Sequence, residues 1–216
     1  MFPKLFESGK IGKLELSNRM IMAPMVTRFA SFDGSVTDQL IDYYLARARG
    51  GVGLIVIEAS YPRSSGYPGR LYLSDNKYIP GLRKLVEALH QECTPVCLQI
   101  NPSRGRSDEV ESVSASEIVH PVTGLRPRAL ELPEIHRMVK DFGEGVRRAV
   151  EAGFDAIQIH GASGYLVCEF LSPLTNRRND GYGGSLEGRA RLATELVEET
   201  KRACLLYTSP SPRDRS

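Results

Sequence analysis

Two rhythms of apolar residues alternate along the chain. Short, nearly continuous apolar runs occur at Arg19–Met25, Gly53–Ala59, Pro95–Ile100 and Asp155–His160. Runs of this length, rich in β-branched residues and bounded by turn formers, predict strands buried on both faces. Between them, apolar residues return every three or four positions, which predicts amphipathic helices. The first starts at Thr37-Asp38, whose side chains can cap it, carries Leu40, Ile41, Tyr44 and Leu45, and stops at Gly50-Gly51. The second, Gly81 to Glu92, has Leu82, Leu85, Val86 and Leu89 on one face. A third follows Pro133 with Ile135, Met138, Val139, Phe142, Val146 and Val150, and ends at Gly153. The fourth is Ser185 to Ala203, with Ala193, Leu196 and Val197 on its apolar side.

The order is therefore βαβαβαβα. Ahead of it, Leu5–Leu16 reads as a short hairpin with Ser8-Gly9 at its turn, and two long loops are expected at Ser60–Asn76 and Asn101–Leu130. Buried strands joined through helices predict a parallel α/β sheet, either doubly wound or a (β/α)8 TIM barrel. A doubly wound nucleotide fold usually carries a glycine-rich phosphate loop after its first strand; here that place holds Ala23-Pro24-Met25-Val26-Thr27. Polar groups sit instead at several strand ends, as Glu58, Gln99 and His160, which favours the barrel. Beyond Cys204 the composition switches abruptly to Ser, Pro and Arg. The segment 205–216 reads as a non-native, disordered tail of the kind left by read-through at a fragment's end. The barrel part is then 1–204, and the natural chain is expected to continue past it.

Composition narrows the function classes. Of 216 residues, 41% are hydrophobic and 25% charged, which fits a globular chain rather than a disordered one. Lys and Arg number 28 against 26 Asp and Glu, so charge gives no reason to expect a nucleic-acid partner. The longest strongly apolar run, Val52–Ile57, is far short of the ~20 residues of a membrane span. The first residues lack the charged and apolar regions of a secretory signal. Cys93, Cys97, Cys168 and Cys204 have neither thioredoxin nor zinc-site spacing and read as structural thiols in a cytoplasmic protein.

Candidate chemistry concentrates after the fourth strand. His160 stands at a strand end, and Tyr165 follows on the turn Gly161-Ala-Ser163-Gly164. A histidine there can donate a hydrogen bond to a substrate carbonyl, and a tyrosine can deliver a proton. A packed histidine and an aromatic loop anchor would leave the same trace. Arg104 and Arg106, just past the third strand, and Arg177-Arg178 could each meet an anion or simply be solvated.

These stretches, taken in order, resemble the Old Yellow Enzyme family of NADH:flavin oxidoreductases, in the branch near 2,4-dienoyl-CoA and 2-enoate reductases. The resemblance covers roughly residues 3 to 203. It rests on Leu16-Ser-Asn18-Arg19-Met-Ile-Met-Ala23-Pro24-Met25, Asp33-Gly-Ser-Val-Thr37, Ala48-Arg-Gly-Gly-Val-Gly-Leu-Ile-Val-Ile-Glu58-Ala59, Gln99, Ala115-Ser116, and Glu169-Phe-Leu-Ser-Pro-Leu-Thr-Asn176 through Gly183-Gly184-Ser185.

The resemblance implies a TIM (β/α)8 barrel truncated to about its first four βα units. It implies FMN as cofactor, with NADH or NADPH as hydride donor and an activated alkene or related small molecule as acceptor. Ala23, Pro24, Met25 and Val26 would lie along the flavin ring, Ala59 would leave room for it, and Gln99 would bond its pyrimidine edge. His160 would serve flavin and substrate, with Ser163 and Tyr165 beside the substrate and Tyr165 as proton donor. Ser163 stands where relatives commonly carry His or Asn, so a two-donor grip on a carbonyl is not expected. Val26 replaces a hydroxyl or thiol that tunes the flavin. The family's phosphate cradle, and any iron–sulfur or FAD-binding portion, would belong to sequence beyond this chain. A fragment of this kind is expected to be inactive alone; the alternative is a catalytically silent half-barrel that self-associates into a homo-oligomer.

Overall fold

The computed structural model describes residues 2–64, 67–105 and 112–208. One helical turn, α1 (Pro3–Phe6), leads into a hairpin of β1 (Gly9–Ile11) and β2 (Leu14–Leu16). The expected turn at Ser8-Gly9 does not form. Gly9 pairs with Leu16 inside the ladder, and the chain reverses at Gly12-Lys13, where Gly12 supplies the positive φ of +59° that a two-residue turn needs. β3 (Ile21–Met22), α2 (Asp38–Ala48), β4 (Leu54–Ser60), α3 (Ile79–Gln91) and β5 (Val96–Ile100) follow. Then come β6 (Val113–Ser114), β7 (Arg128–Ala129), α4 (Leu132–Ala152), β8 (Ala156–Ile159), α5 (Leu166–Leu171) and α6 (Leu186–Thr208). α6 runs four residues into the segment set apart as a tail; 209–216 lie outside the described residues.

β3, β4, β5 and β8 form one sheet in chain order, every pair parallel. The expected strand at Arg19–Met25 shrinks to two paired residues, since Pro24 has no N–H to continue a ladder. Side chains alternate across the sheet. Ile55, Ile57, Val96, Leu98 and Ile100 face the helices and join Leu40, Tyr44, Leu85, Phe142, Val146 and Leu196 in the main core. The opposite face carries Leu54, Val56 and Cys97, and Leu14 and Leu16 of the hairpin close over it. The hairpin thus plugs the end where the strands begin, and the end where they finish is left for polar groups.

Local chemistry explains the joints. Asn18 accepts from the Met20 N–H and donates to the Gly51 carbonyl at 2.8 Å, tying the first strand to the turn before β4. Thr37 caps α2 by accepting from the Leu40 N–H and donates its own hydroxyl to the Phe29 carbonyl. α4 opens with a capping box of Glu131 and Glu134 and ends at Gly153 with φ +98°.

The long loop after β5 was not expected to hold strands, yet β6 and β7 pair within it. Arg178 accounts for this. Its guanidinium donates to the Ala115 carbonyl at 3.1 Å and the Leu130 carbonyl at 2.6 Å, just past each short strand, and pairs with Asp180 at 2.6 Å. Its anion is the chain's own Asp180, and with the two carbonyls it makes this residue a lock. Asn176 adds to it by donating to the Phe170 and Tyr182 carbonyls, both at 2.7 Å.

Candidate active site

The finishing ends of the four strands meet at one cleft of about 330 Å³. Pro24, Met25 and Val26 line it from the segment after β3, Ala59 from β4, Gln99 from β5, and His160, Ser163 and Tyr165 from the turn after β8. Eight of the expected site residues are therefore brought together. Ala23 is exposed and is not part of the lining. Arg28, Tyr61 and Arg70, which sequence reasoning missed, complete the wall. Glu58 lies on the same rim, beneath the lining.

Register sets this convergence. Ile57 pairs with Leu98 and Gln99 with Gln158, so Glu58 and Gln99 come near one level and His160 follows two residues further, just past the Ile100–Ile159 pair. Gln99 donates to the Gln158 side-chain carbonyl at 2.8 Å, which fixes its amide on the sheet face. The His160 N–H donates to the Ile100 carbonyl at 2.9 Å and anchors the residue to β5.

His160 is 9% exposed. Burial pushes its pKa down, so the ring is neutral at neutral pH. The Ala162 N–H approaches Nδ1 at 3.4 Å, which makes Nδ1 the acceptor and assigns the remaining proton to Nε2. A neutral imidazole with an Nε2–H can donate to a carbonyl oxygen without contributing charge. Tyr165 packs edge-on against this ring, centroids 5.0 Å apart. The turn that carries it holds Ser163 at φ +60° and Gly164 at φ +69°. A left-handed serine beside a reacting position is a local cost that the surrounding turn must support.

Glu58 is fully buried. Its Oε2 accepts from the Thr27 hydroxyl at 2.6 Å and the Thr27 N–H at 2.8 Å, while Oε1 has no hydrogen-bond partner among the described residues. Burial raises its pKa, opposed by the Thr27 bonds and the charge of Arg70. The carboxylate pins the segment Val26-Thr27 to β4, so it shapes the cleft wall from behind.

A flat, mostly apolar ring with polar edges fits this wall. The chain from Ala23 onward has left the β-ladder, and Met25 and Val26 are exposed apolar residues at 63% and 41%. Ala59 brings only a methyl group, and Gln99 supplies an amide at the edge. Among the described residues no group of three or more His, Cys, Asp or Glu could hold a metal ion, and no helix is long and apolar enough to cross a membrane.

Comparison with known proteins supplies the decisive observation. Residues 4–206 match the model of the NADH:flavin oxidoreductase / NADH oxidase family. The chain belongs to that family. It is 42% identical over 210 residues to the NADH oxidase of Thermoanaerobacter brockii, covering 94% of this chain and 32% of that protein. Its fold is similar to that of 2-naphthoyl-CoA reductase, with a TM-score of 0.89 and 29% identity over 94% of this chain and 34% of that one. It is also similar to the Old Yellow Enzyme homologue from Zymomonas mobilis, with a TM-score of 0.80 and 30% identity over 93% of this chain and 60% of that one. The chain spans between about a fifth and three fifths of the length of the curated relatives it matches. The structure uses Ala115-Ser116 and the segment from Asn176 to Asp180 in the Arg178 lock rather than as cleft lining.

Proposed function

We propose that this chain is the first part of the flavin-binding barrel of an NAD(P)H-dependent oxidoreductase, contributing about four of its eight βα units. The cofactor is FMN and the acceptor an activated alkene. The observation that carries this reading is the convergence of Pro24–Val26, Ala59, Gln99, His160 and Tyr165, from four successive strand ends, on one cleft. FMN, when bound, would supply the hydride chemistry between NADH or NADPH and the acceptor, held by Pro24–Val26, Ala59 and Gln99. The chain's own residues do the rest. The Pro24–Val26 backbone lines one face, Ala59 leaves space, and Gln99 holds a polar edge. His160 donates its Nε2–H to the acceptor carbonyl, and the Tyr165 phenol supplies the proton. Ser163 adds one short hydroxyl, so the carbonyl is gripped chiefly by His160. The free cysteines fit a reducing cytoplasmic setting.

The test is to extend the chain with the natural sequence that follows Cys204. The short chain, without the phosphate-binding units, is expected to purify without FMN, and the extended chain to be yellow and to oxidise NADH or NADPH. An extended chain that purifies colourless and takes up no FMN overturns the reading. The open edges of β3 and β8 support a second reading. Among the described residues each pairs on one side only, and Ile21 on β3 is 48% exposed. A chain that ended here would be catalytically silent and would associate through those edges. Size-exclusion chromatography of the short chain separates monomer from oligomer.

A further inference from the structure

A second phenol, Tyr61, stands in the cleft wall with Tyr165, and no step described so far uses it. It is 5% exposed, and the main chain fixes its place. Its N–H donates to the Leu71 carbonyl at 3.0 Å, and its own carbonyl accepts from the Leu73 N–H at 2.7 Å. Arg70, itself 9% exposed, donates to the Tyr61 hydroxyl oxygen at 2.8 Å. The guanidinium lies over the Tyr61 and Tyr67 rings at 5.4 and 4.7 Å, so it is aimed by stacking. A Cβ on Gly69 would lie 2.7 Å from the Arg28 carbonyl oxygen, so glycine is what lets the chain before Arg70 press into the wall.

Asn101, just past β5, brings a second donor toward the same oxygen. It is fully buried. Its N–H donates to the Ser60 carbonyl at 3.0 Å, and its side-chain carbonyl accepts from the Ser103 N–H at 3.2 Å, which decides how the amide points. Nδ2 is left with no hydrogen-bond partner among the described residues. A buried donor left unpaired is costly and calls for an explanation. Burial pushes the pKa of the Tyr61 phenol up, the charges of Arg70 and Arg104 draw it down, Tyr165 pushes it up, and the Asn101 amide draws it down. A neutral phenol oxygen already accepting from a guanidinium has little to offer a second donor, whereas a phenolate accepts both. The unmade Asn101 bond is then a donor placed in advance where charge develops.

We infer that Tyr61 returns a proton to Tyr165, with Arg70 and Asn101 as positioning residues that hold the Tyr61 phenolate. This rests on the reading of Tyr165 as proton donor. Each cycle moves one proton from the Tyr165 oxygen to the acceptor carbon. The Tyr61 O–H bond then breaks, its proton closes the Tyr165 O–H bond, and the negative charge stays on the Tyr61 oxygen. There the Arg70 guanidinium and the Asn101 Nδ2–H both donate to it. A proton from water restores Tyr61. The two phenols share one wall, and the charge of one acts on the other. Tyr165 is therefore recharged from the wall itself while cofactor and acceptor fill the cleft.

The first measurement uses the chain itself. Difluorotyrosine, whose phenol ionises near neutral pH, is placed at position 61 and titrated by fluorine NMR. Arg70→Met is expected to raise the pH of its ionisation by about 1–3, and Asn101→Ala by less. A position-61 phenol that neither variant moves overturns the inference. The second measurement uses the extended, FMN-loaded protein with Tyr61→Phe, which removes a single oxygen and keeps the test open if the other variants do not fold. The first turnover of alkene reduction is expected at the wild-type rate in stopped-flow traces, with later turnovers slowed on the order of 10²-fold. Imidazole buffer, a small proton donor, should restore those later turnovers in Tyr61→Phe and leave wild type unchanged. A first turnover slowed as much as the later ones marks a packing role and overturns the inference, as does an unchanged steady rate. Failure of the underlying reading shows separately, as alkene reduction that Tyr165→Phe does not slow.

Discussion

Replacing Arg178 with methionine keeps the apolar stem and removes the guanidinium. Four acceptor atoms are then abandoned: the carbonyls of Ala115 and Leu130 and both carboxylate oxygens of Asp180. The Arg178 side chain is 10% exposed and Asp180 28%. Hydrogen bonds to a charged group are worth about 1.5–3 kcal/mol each, and breaking a buried ion pair costs about 3–5 kcal/mol. Water reaches Asp180 and recovers part of this, which places the expected loss near 3 kcal/mol. That is a large share of the roughly 5–15 kcal/mol that stabilises a domain. With a urea slope of about 1–3 kcal/mol/M, the unfolding midpoint falls by on the order of 1–2 M. Arg177→Met is the control, since the Arg177 side chain is exposed and only its N–H is used, toward Ser116. The pH dependence carries the same signature. Hydrogen bonding from Arg178 holds the Asp180 carboxyl below its usual value. The pair's contribution is complete above the unfolded carboxyl value near pH ~3.9 and is lost as pH falls through the lower folded value. Arg178→Met should shrink that acid limb, leaving the smaller part that the Tyr182 N–H supports. A loss under about 1 kcal/mol, or an equal loss in Arg177→Met, would refute the lock.

Glu58→Gln tests the buried carboxyl. Its folded pKa is raised, so its contribution is complete below the unfolded value near ~4.3 and erodes as pH rises through the folded one; urea melts at about pH 5 and pH 7 should show Gln gaining relative to Glu. A wild type that gains instead would contradict the assignment. Gly34→Ala places a Cβ into the Tyr72 ring at φ +89° and is expected to cost more than about 2 kcal/mol; a change within about 0.5 kcal/mol in thermal melts would show that the ring moves aside freely. In the extended, FMN-loaded protein, Tyr165→Phe should slow alkene reduction by about 10²-fold or more and leave flavin reduction by NADH or NADPH unchanged in stopped-flow traces. An unchanged alkene rate assigns the proton to another source.

The main sheet and the four long helices were legible because burial on both faces and helical periodicity write themselves locally into sequence. The hairpin turn was not, because Ser8-Gly9 and Gly12-Lys13 are both plausible turns and only the pairing of Gly9 with Leu16 decides between them. β6, β7 and α5 were missed for a related reason. Two-residue strands have no periodicity, and what pairs these is a guanidinium some fifty residues away along the chain. In the site, Gln99 and His160 stood out as polar residues ending apolar strands. Arg70 did not, since its burial depends on stacking against Tyr61 and Tyr67, a contact no spacing rule reports. The glycine before it was the available signal, as a residue chosen for close approach. Arg104 proved to be stacked on Tyr67, and Arg106 lies outside the described residues.

The strands of the sheet lie side by side in the order in which they are synthesised. Each new strand finds its partner already made and adjacent; the detour is one helix before β4 and β5, and the β6–β7 segment plus α4 before β8, so the last closure is the longest. The cleft behaves differently: its lining runs from Pro24 to Tyr165 and closes only when the fourth strand arrives. On the ribosome, then, the scaffold can accumulate stepwise while the chemistry appears all at once, and a nascent chain stalled before β8 would carry three docked strands and no site.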